Sequence, residues 1–134
     1  MHDGQDRQAR LVLAFGALLA ATGVAMAALG SDAIADILTG KAALRFDSAL
    51  RLHLMHAPAL LALGASRSDA RARWWQAATI LIALSCVVFC GGLYLAALDL
   101  FPAVLGIVPA GGSLMMLGWV VALVAYVRGP ENGA

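Results

Sequence analysis

Two histidines and two cysteines are the residues of this sequence best suited to chemistry. His53 and His56 are three positions apart and Cys86 and Cys90 are four apart, so each pair lies on one face if its segment is helical. Imidazole nitrogens and thiolates are ligands that zinc and copper ions accept in tetrahedral geometry. A metal site between two helices is therefore one hypothesis. The competing interpretation, which we favour, is that the thiols pack as small side chains and the imidazoles are hydrogen-bonded inside the protein.

Other patterns that could carry chemistry are weak. His56 has no evident second axial ligand for a haem, and no acid–base dyad or nucleophile motif is present in the sequence. Gly91-Gly92 and Gly111-Gly112 lie in apolar stretches with no Lys nearby, which favours close packing over phosphate binding. We therefore predict no catalytic residue, no cofactor and no metal, and a protein that is not an enzyme.

Two prolines predict irregular backbone within apolar segments. Pro58 removes one backbone hydrogen bond two residues after His56, which predicts a kink and a polar notch. Pro109, followed by Gly111 and Gly112, predicts a broken helix entry. Interrupted helices mark binding sites in transporters, so transport or conduction by an oligomer is the alternative function.

The composition indicates that this chain resides in a membrane rather than in water. Of 134 residues 62% are hydrophobic and 13% are charged, whereas a soluble domain has about 45–50% apolar and about 25% charged residues. The net charge of +1 gives no reason to expect nucleic acid binding. Crossing ~30 Å of hydrocarbon takes roughly 20 residues. Four uncharged runs approach or exceed that length: 11–31, 52–66, 74–98 and 100–127.

These runs predict an all-α membrane protein, a single four-transmembrane-helix bundle, because backbone groups in lipid must bond internally. We expect spans at about 11–30, 46–65, 74–98 and 109–127, an amphipathic segment at 31–45 and an apolar re-entry or interface segment at 99–108. The second span belongs to one helix from about Lys41 to about Ala65. A rival interpretation makes the first run a secretory signal peptide cleaved after the A-x-A-like residues 25–27.

Lys and Arg positions predict the orientation. Six fall on the side of the N-terminus and three on the other, so both termini are expected in the cytoplasm. Trp74 and Trp75 follow the basic turn 67–73 and predict an interfacial aromatic anchor. The short loops and the absence of a transit-like leader favour a bacterial inner membrane.

One stripe of small residues predicts helix packing. Helices in lipid associate through close backbone approach at small side chains. Whether the stripe contacts another helix of this chain or a second subunit is left open by the sequence. Its members repeat at spacings of four and three: Gly16, Ala20, Gly23, Ala27 and Gly30.

An ordered set of motifs resembles the domain-of-unknown-function 423 family, which includes the transmembrane protein 256-like proteins. The motifs are AALGSD at 27–32, MHAP at 55–58, FCGGLY at 89–94, GIVPAGG at 106–112 and GW at 118–119. Asp32, Pro58, Cys90 and Gly92 depart from the family pattern. The resemblance implies a small four-helix integral membrane protein and no established reaction.

The sequence thus predicts a multi-pass cell-membrane protein in the lipid bilayer, with a non-enzymatic accessory or structural role. It would bind other membrane proteins or itself; an oligomeric small-solute or ion transporter is the alternative, and a metal- or haem-binding protein a further one. The candidate functional or packing residues are His53, His56, Pro58, Cys86, Cys90, Pro109, Gly111 and Gly112.

Overall fold

The computed structural model describes residues 2–66 and 72–128, and this part of the chain is helical without strands. A π turn at Leu29–Ala33 extends the first helix, another at Val87–Gly91 separates the third from the fourth, and a 3-10 helix covers Pro102–Gly106. The α-helices are α1 (His2–Ala28), α2 (Gly40–Ala65), α3 (Ala72–Cys86), α4 (Gly92–Ala97) and α5 (Val108–Val127).

Three stretches of the described residues are long and apolar enough to cross a membrane: Asp6–Ala33, Arg73–Ala97 and Val108–Val127. The all-α membrane class is thereby confirmed. The helix expected from about Lys41 to Ala65 is α2, which contains Arg51 and two histidines and is not one of these three stretches. The segment 31–45 contains the end of the first π turn, a turn and the start of α2.

The bundle consists of two helix pairs. α1 packs along α2, and α3 packs along α5, while α2 joins the pairs by packing against the second π turn and α4. Gly30, in the first π turn after α1, contacts Phe46 at one end of α2, and Leu13 of α1 contacts Gly64 at the other end, so α1 and α2 are antiparallel.

The small-residue stripe of α1 faces α2 of the same chain. A Cβ atom added to Gly23 would lie 2.7 Å from Leu54 Cδ2, and one added to Gly16 would lie 3.1 Å from the backbone nitrogen of Leu61. Both distances are shorter than van der Waals contact, so the absence of side chains at these positions permits the approach. The structure therefore assigns the stripe to packing within the subunit.

Glycines also set the approach of α5 to α3. A Cβ atom on Gly111 would lie 2.9 Å from the backbone nitrogen of Phe89 in the second π turn, and one on Gly118 would lie 2.7 Å from Ile82 Cγ1. The first turn of α5 thus lies directly against the second π turn. Pro109 is tolerated in this first turn because backbone N–H groups at a helix N-terminus have no partner within the helix.

The two tryptophans at the start of α3 differ from the predicted interfacial pair. Trp75 is only 5% exposed, and its indole N–H donates to the carbonyl oxygen of Leu63 at 2.7 Å. Only Trp74 keeps a peripheral position, with the Arg128 guanidinium 5.1 Å from its ring centroid. Trp75 faces the interior of the bundle, because adjacent helical residues point about 100° apart.

Candidate functional site

His56 joins α2 to α5 through a fixed pair of hydrogen bonds. Its side chain is 1% exposed; Nδ1 lies 2.7 Å from the carbonyl oxygen of Leu52, and Nε2 accepts the indole N–H of Trp119 at 3.0 Å. A carbonyl only accepts and an indole only donates, so the proton must reside on Nδ1 and the lone pair on Nε2. The interhelical hydrogen bond expected of a neutral His56 is present in the structure.

His53 lies one turn away in α2 and joins three helices. Its Nε2 lies 3.2 Å from Oγ1 of Thr22 in α1, and its Nδ1 lies 3.2 Å from the hydroxyl of Tyr94 in α4. With the Thr22 hydroxyl proton directed to the carbonyl oxygen of Leu18 at 2.8 Å, Thr22 accepts from Nε2–H of His53. Tyr94 then donates to Nδ1, and the two histidines have opposite tautomers.

This Tyr94–His53–Thr22 chain of hydrogen bonds, which we call the three-helix relay, differs chemically from the His56 pair. Hydroxyl groups both donate and accept, so the relay can reverse its direction, whereas the partners of His56 cannot. Phe46 packs edge-on against Tyr94 with ring centroids 5.2 Å apart, which fixes the phenol beside His53. Every buried side-chain nitrogen or oxygen in the described part of the chain has a hydrogen-bond partner.

The two cysteines do not form a metal-binding cluster with the histidines among the described residues. Cys86, the last residue of α3, and Cys90, within the second π turn, are free, buried thiols. Over residues 2–66 and 72–128, no three His, Cys, Asp or Glu side chains lie close enough to hold a metal ion. The described structure thus does not join the two predicted pairs, and the Nε2 lone pair of His56 is already engaged by Trp119.

α2 is continuous through Pro58, so the helix is not interrupted at that residue. An open, nearly apolar groove of about 440 Å³, which we call the α2–α5 groove, lies between α2 and α5. The His56–Trp119 bond crosses its floor, and a 2.7 Å hydrogen bond between Ser66 and Tyr126 joins the same helices nearer their C-terminal ends. Its remaining walls include Leu52, Met55, Phe89, Pro109, Gly112, Ser113, Met115 and Met116.

Sequence reasoning missed the partners of both histidines. Thr22, Tyr94 and Trp119 each have a polar atom inside an apolar run, and such an atom requires a partner in lipid. That signal marks all three residues for hydrogen bonding. It does not identify the partner, because the pairing depends on how the helices are rotated.

Comparison with known proteins assigns the chain to a family. The profile of DUF423, described as a protein of unknown function, matches residues 19–112. The UPF0382 inner membrane protein YgdD of Escherichia coli K12 is 26% identical over 124 residues, covering 92% of this chain and 95% of YgdD. A UPF0382 membrane protein of Haemophilus influenzae is 31% identical over 99 residues, covering 72% of this chain and 77% of the relative.

A UPF0382 membrane protein of Staphylococcus epidermidis is 28% identical over 121 residues, covering 89% of this chain and 97% of the relative. No solved structure matches the chain. Together with its apolar helices, these relatives make the chain a cell-membrane protein, as expected. This chain belongs to the DUF423 family of membrane proteins.

Proposed function

We propose that this protein is a non-enzymatic accessory subunit, a four-span bundle that binds another membrane protein through the α2–α5 groove. The spanning role of α2 is supported by its pairing with α1. Gly30 contacts Phe46 and Leu13 contacts Gly64, so α2 runs beside the apolar length of α1, and this pairing supports a membrane-spanning role for α2.

The proposed orientation places both termini in the cytoplasm. Arg7 and Arg10 precede the apolar part of α1, and Arg128 follows α5, so both ends with basic residues lie on one side of a four-span bundle. The basic turn contributes in the same sense through its charges, although 67–71 lies outside the described residues. Lys41, Arg45 and Arg51 mark the opposite side with fewer charges.

One observation carries the accessory role: the polar groups of the interior are consumed by structural hydrogen bonds, while an apolar groove stays open on the surface. His53, His56 and their partners satisfy one another, which leaves no buried donor or acceptor of the described residues directed at a polar substrate. Met55, Met116 and Trp119 line the groove and are exposed. Methionine side chains adapt to irregular apolar surfaces, and a helix of a partner protein would fill the groove.

Site-specific photo-crosslinking in intact membranes tests this proposal. A photoreactive residue at Met116, which is 67% exposed in the groove, is expected to give one discrete adduct with another membrane protein. The matched control is Val24, 65% exposed on α1 and away from the groove. Equal adduct patterns at both positions, or lipid adducts alone, would reject the groove as a protein interface, and an adduct of twice the subunit mass would identify self-association.

The alternative, transport by an oligomer, is favoured by the three-helix relay, because reversible hydrogen bonds can pass a proton. Purified protein in liposomes would then show proton flux that Tyr94→Phe reduces. If wild type and Tyr94→Phe both match empty liposomes, the relay is structural only.

A further inference from the structure

A second groove lies on the other side of the molecule, between α1 and α3. It has a volume of about 440 Å³ and an almost wholly apolar lining, and it opens to the surface. α1 is committed to α2 and α3 to α5, so α1 and α3 diverge and leave this space between them. The side chains that define it are Arg7, Leu11, Val12 and Phe15 on α1 with Ile80 and Ala83 on α3.

The groove has one polar end. Gln8 reaches across it and donates to the hydroxyl of Thr79, a fully buried residue of α3, at 3.4 Å. This bond places Arg7 level with the second turn of α3, about 9 Å along the helix from Arg73. Helical side chains point toward the N-terminus of their helix, so the Arg7 guanidinium extends to the membrane interface.

Arg7 provides a free positive charge at that end. Within the described part of the chain, no residue forms an ion pair with it. Arg10, one turn further on, instead donates from Nε to the backbone oxygen of Asp6 at 3.3 Å and does not line the groove. The groove thus combines a guanidinium that has no ion-pair partner among the described residues with a nearly apolar lining further along α1 and α3.

We propose that the α1–α3 groove binds a glycerophospholipid, whose phosphate is held by Arg7 and one of whose acyl chains lies along Leu11, Phe15 and Ala83. A guanidinium forms strong, charge-assisted hydrogen bonds to phosphate oxygens. The acyl chain would provide dispersion contacts to the side chains that line the groove, which these side chains lack when the groove is empty. This site is separate from the α2–α5 groove and does not depend on the proposed protein partner.

Native mass spectrometry of the full-length protein in mild detergent tests the site. The probes are phosphatidylglycerol, phosphatidylethanolamine and a diacylglycerol with the same acyl chains. Both phospholipids are expected to bind one per subunit, and diacylglycerol about tenfold more weakly, because it lacks the phosphate that pairs with Arg7. Equal affinity for diacylglycerol would overturn the role of Arg7.

Two pairs of variants locate the lipid. Arg7→Gln is expected to weaken phospholipid binding about tenfold, whereas Arg10→Gln leaves it unchanged. Ala83→Phe fills the groove and abolishes one-to-one binding, whereas Leu84→Phe, at the neighbouring exposed position, does not. Circular dichroism checks the fold of each variant. Retention of phospholipid by folded Ala83→Phe at wild-type affinity, or equal losses in Arg7→Gln and Arg10→Gln, would reject the site.

Discussion

The hydrogen bond between Trp119 and His56 provides a direct test of the bundle. Trp119→Phe keeps an aromatic ring at this half-exposed position but removes the indole N–H. The Nε2 atom of the buried His56 then loses its hydrogen-bond donor. Interhelical hydrogen bonds in membrane proteins contribute about 0.6 kcal/mol on average and up to about 1.7 kcal/mol. An unsatisfied buried acceptor costs about 1–3 kcal/mol. We therefore expect Trp119→Phe to lower the free energy of unfolding by about 1–2 kcal/mol.

A double-mutant cycle separates the bond from the loss of ring area. His56→Leu removes the acceptor, and the double variant with Trp119→Phe lacks both partners. The loss in the double variant should be smaller than the sum of the single losses by about 0.6–1.7 kcal/mol. Reversible unfolding in mixed detergent, followed by circular dichroism, measures all four proteins under one condition.

The tautomer of His56 gives an independent readout of the same geometry. Nitrogen chemical shifts should show the proton on Nδ1 in the wild type, because Leu52 accepts there and Trp119 donates to Nε2. Additive losses in the cycle, together with a proton on Nε2, would refute the assignment of this bond.

The remaining predictions concern packing, the relay and topology. Gly111→Ala places a Cβ atom 2.9 Å from the backbone of the second π turn and should lower the free energy of unfolding by about 1–3 kcal/mol, measured by thermal unfolding. Gly91→Ala, whose added Cβ atom would meet no neighbouring atom within 4 Å, should leave the stability unchanged. Tyr94→Phe should destabilise by about 0.5–1.5 kcal/mol and raise the population of the Nδ1–H tautomer of His53 in nitrogen spectra. A fluorescent-protein fusion at Ala134 should fluoresce while an alkaline phosphatase fusion there stays inactive; the reverse pattern would contradict the cytoplasmic C-terminus.

The positions of the helices could be predicted because hydropathy and charge act locally. The absence of Gly and Pro between Lys41 and Ala57 predicts a helix whose observed limits are Gly40–Ala65. The small-residue stripe likewise predicts a packing face, since its spacing is a property of one helix. Its partner, α2 of the same chain, could not be predicted, because that depends on the rotation of a second helix.

The site shows the same division. A neutral, bonded His56 follows from the cost of a polar group in lipid, and the structure supplies its partner, Trp119. His53 lies one turn nearer the end of the apolar run than His56, and the structure shows that it joins three helices through Thr22 and Tyr94. The partner of Trp75 could not be predicted either, because the Leu63 carbonyl that accepts its indole N–H belongs to another helix.

The second π turn changes the direction in which the side chains of α4 point relative to those of α3. A π turn contains one residue more than the α-helical turn it replaces, so the residues beyond it are rotated by about 100° relative to an unbroken helix. α3, before the turn, packs on α5, whereas α4, after it, packs on α2. If 87–91 were wound as regular α-helix with no residue removed, Tyr94 would be turned about 100° away from His53. The extra residue in the second π turn thus determines which side chains of α3 face α5 and which side chains of α4 face α2.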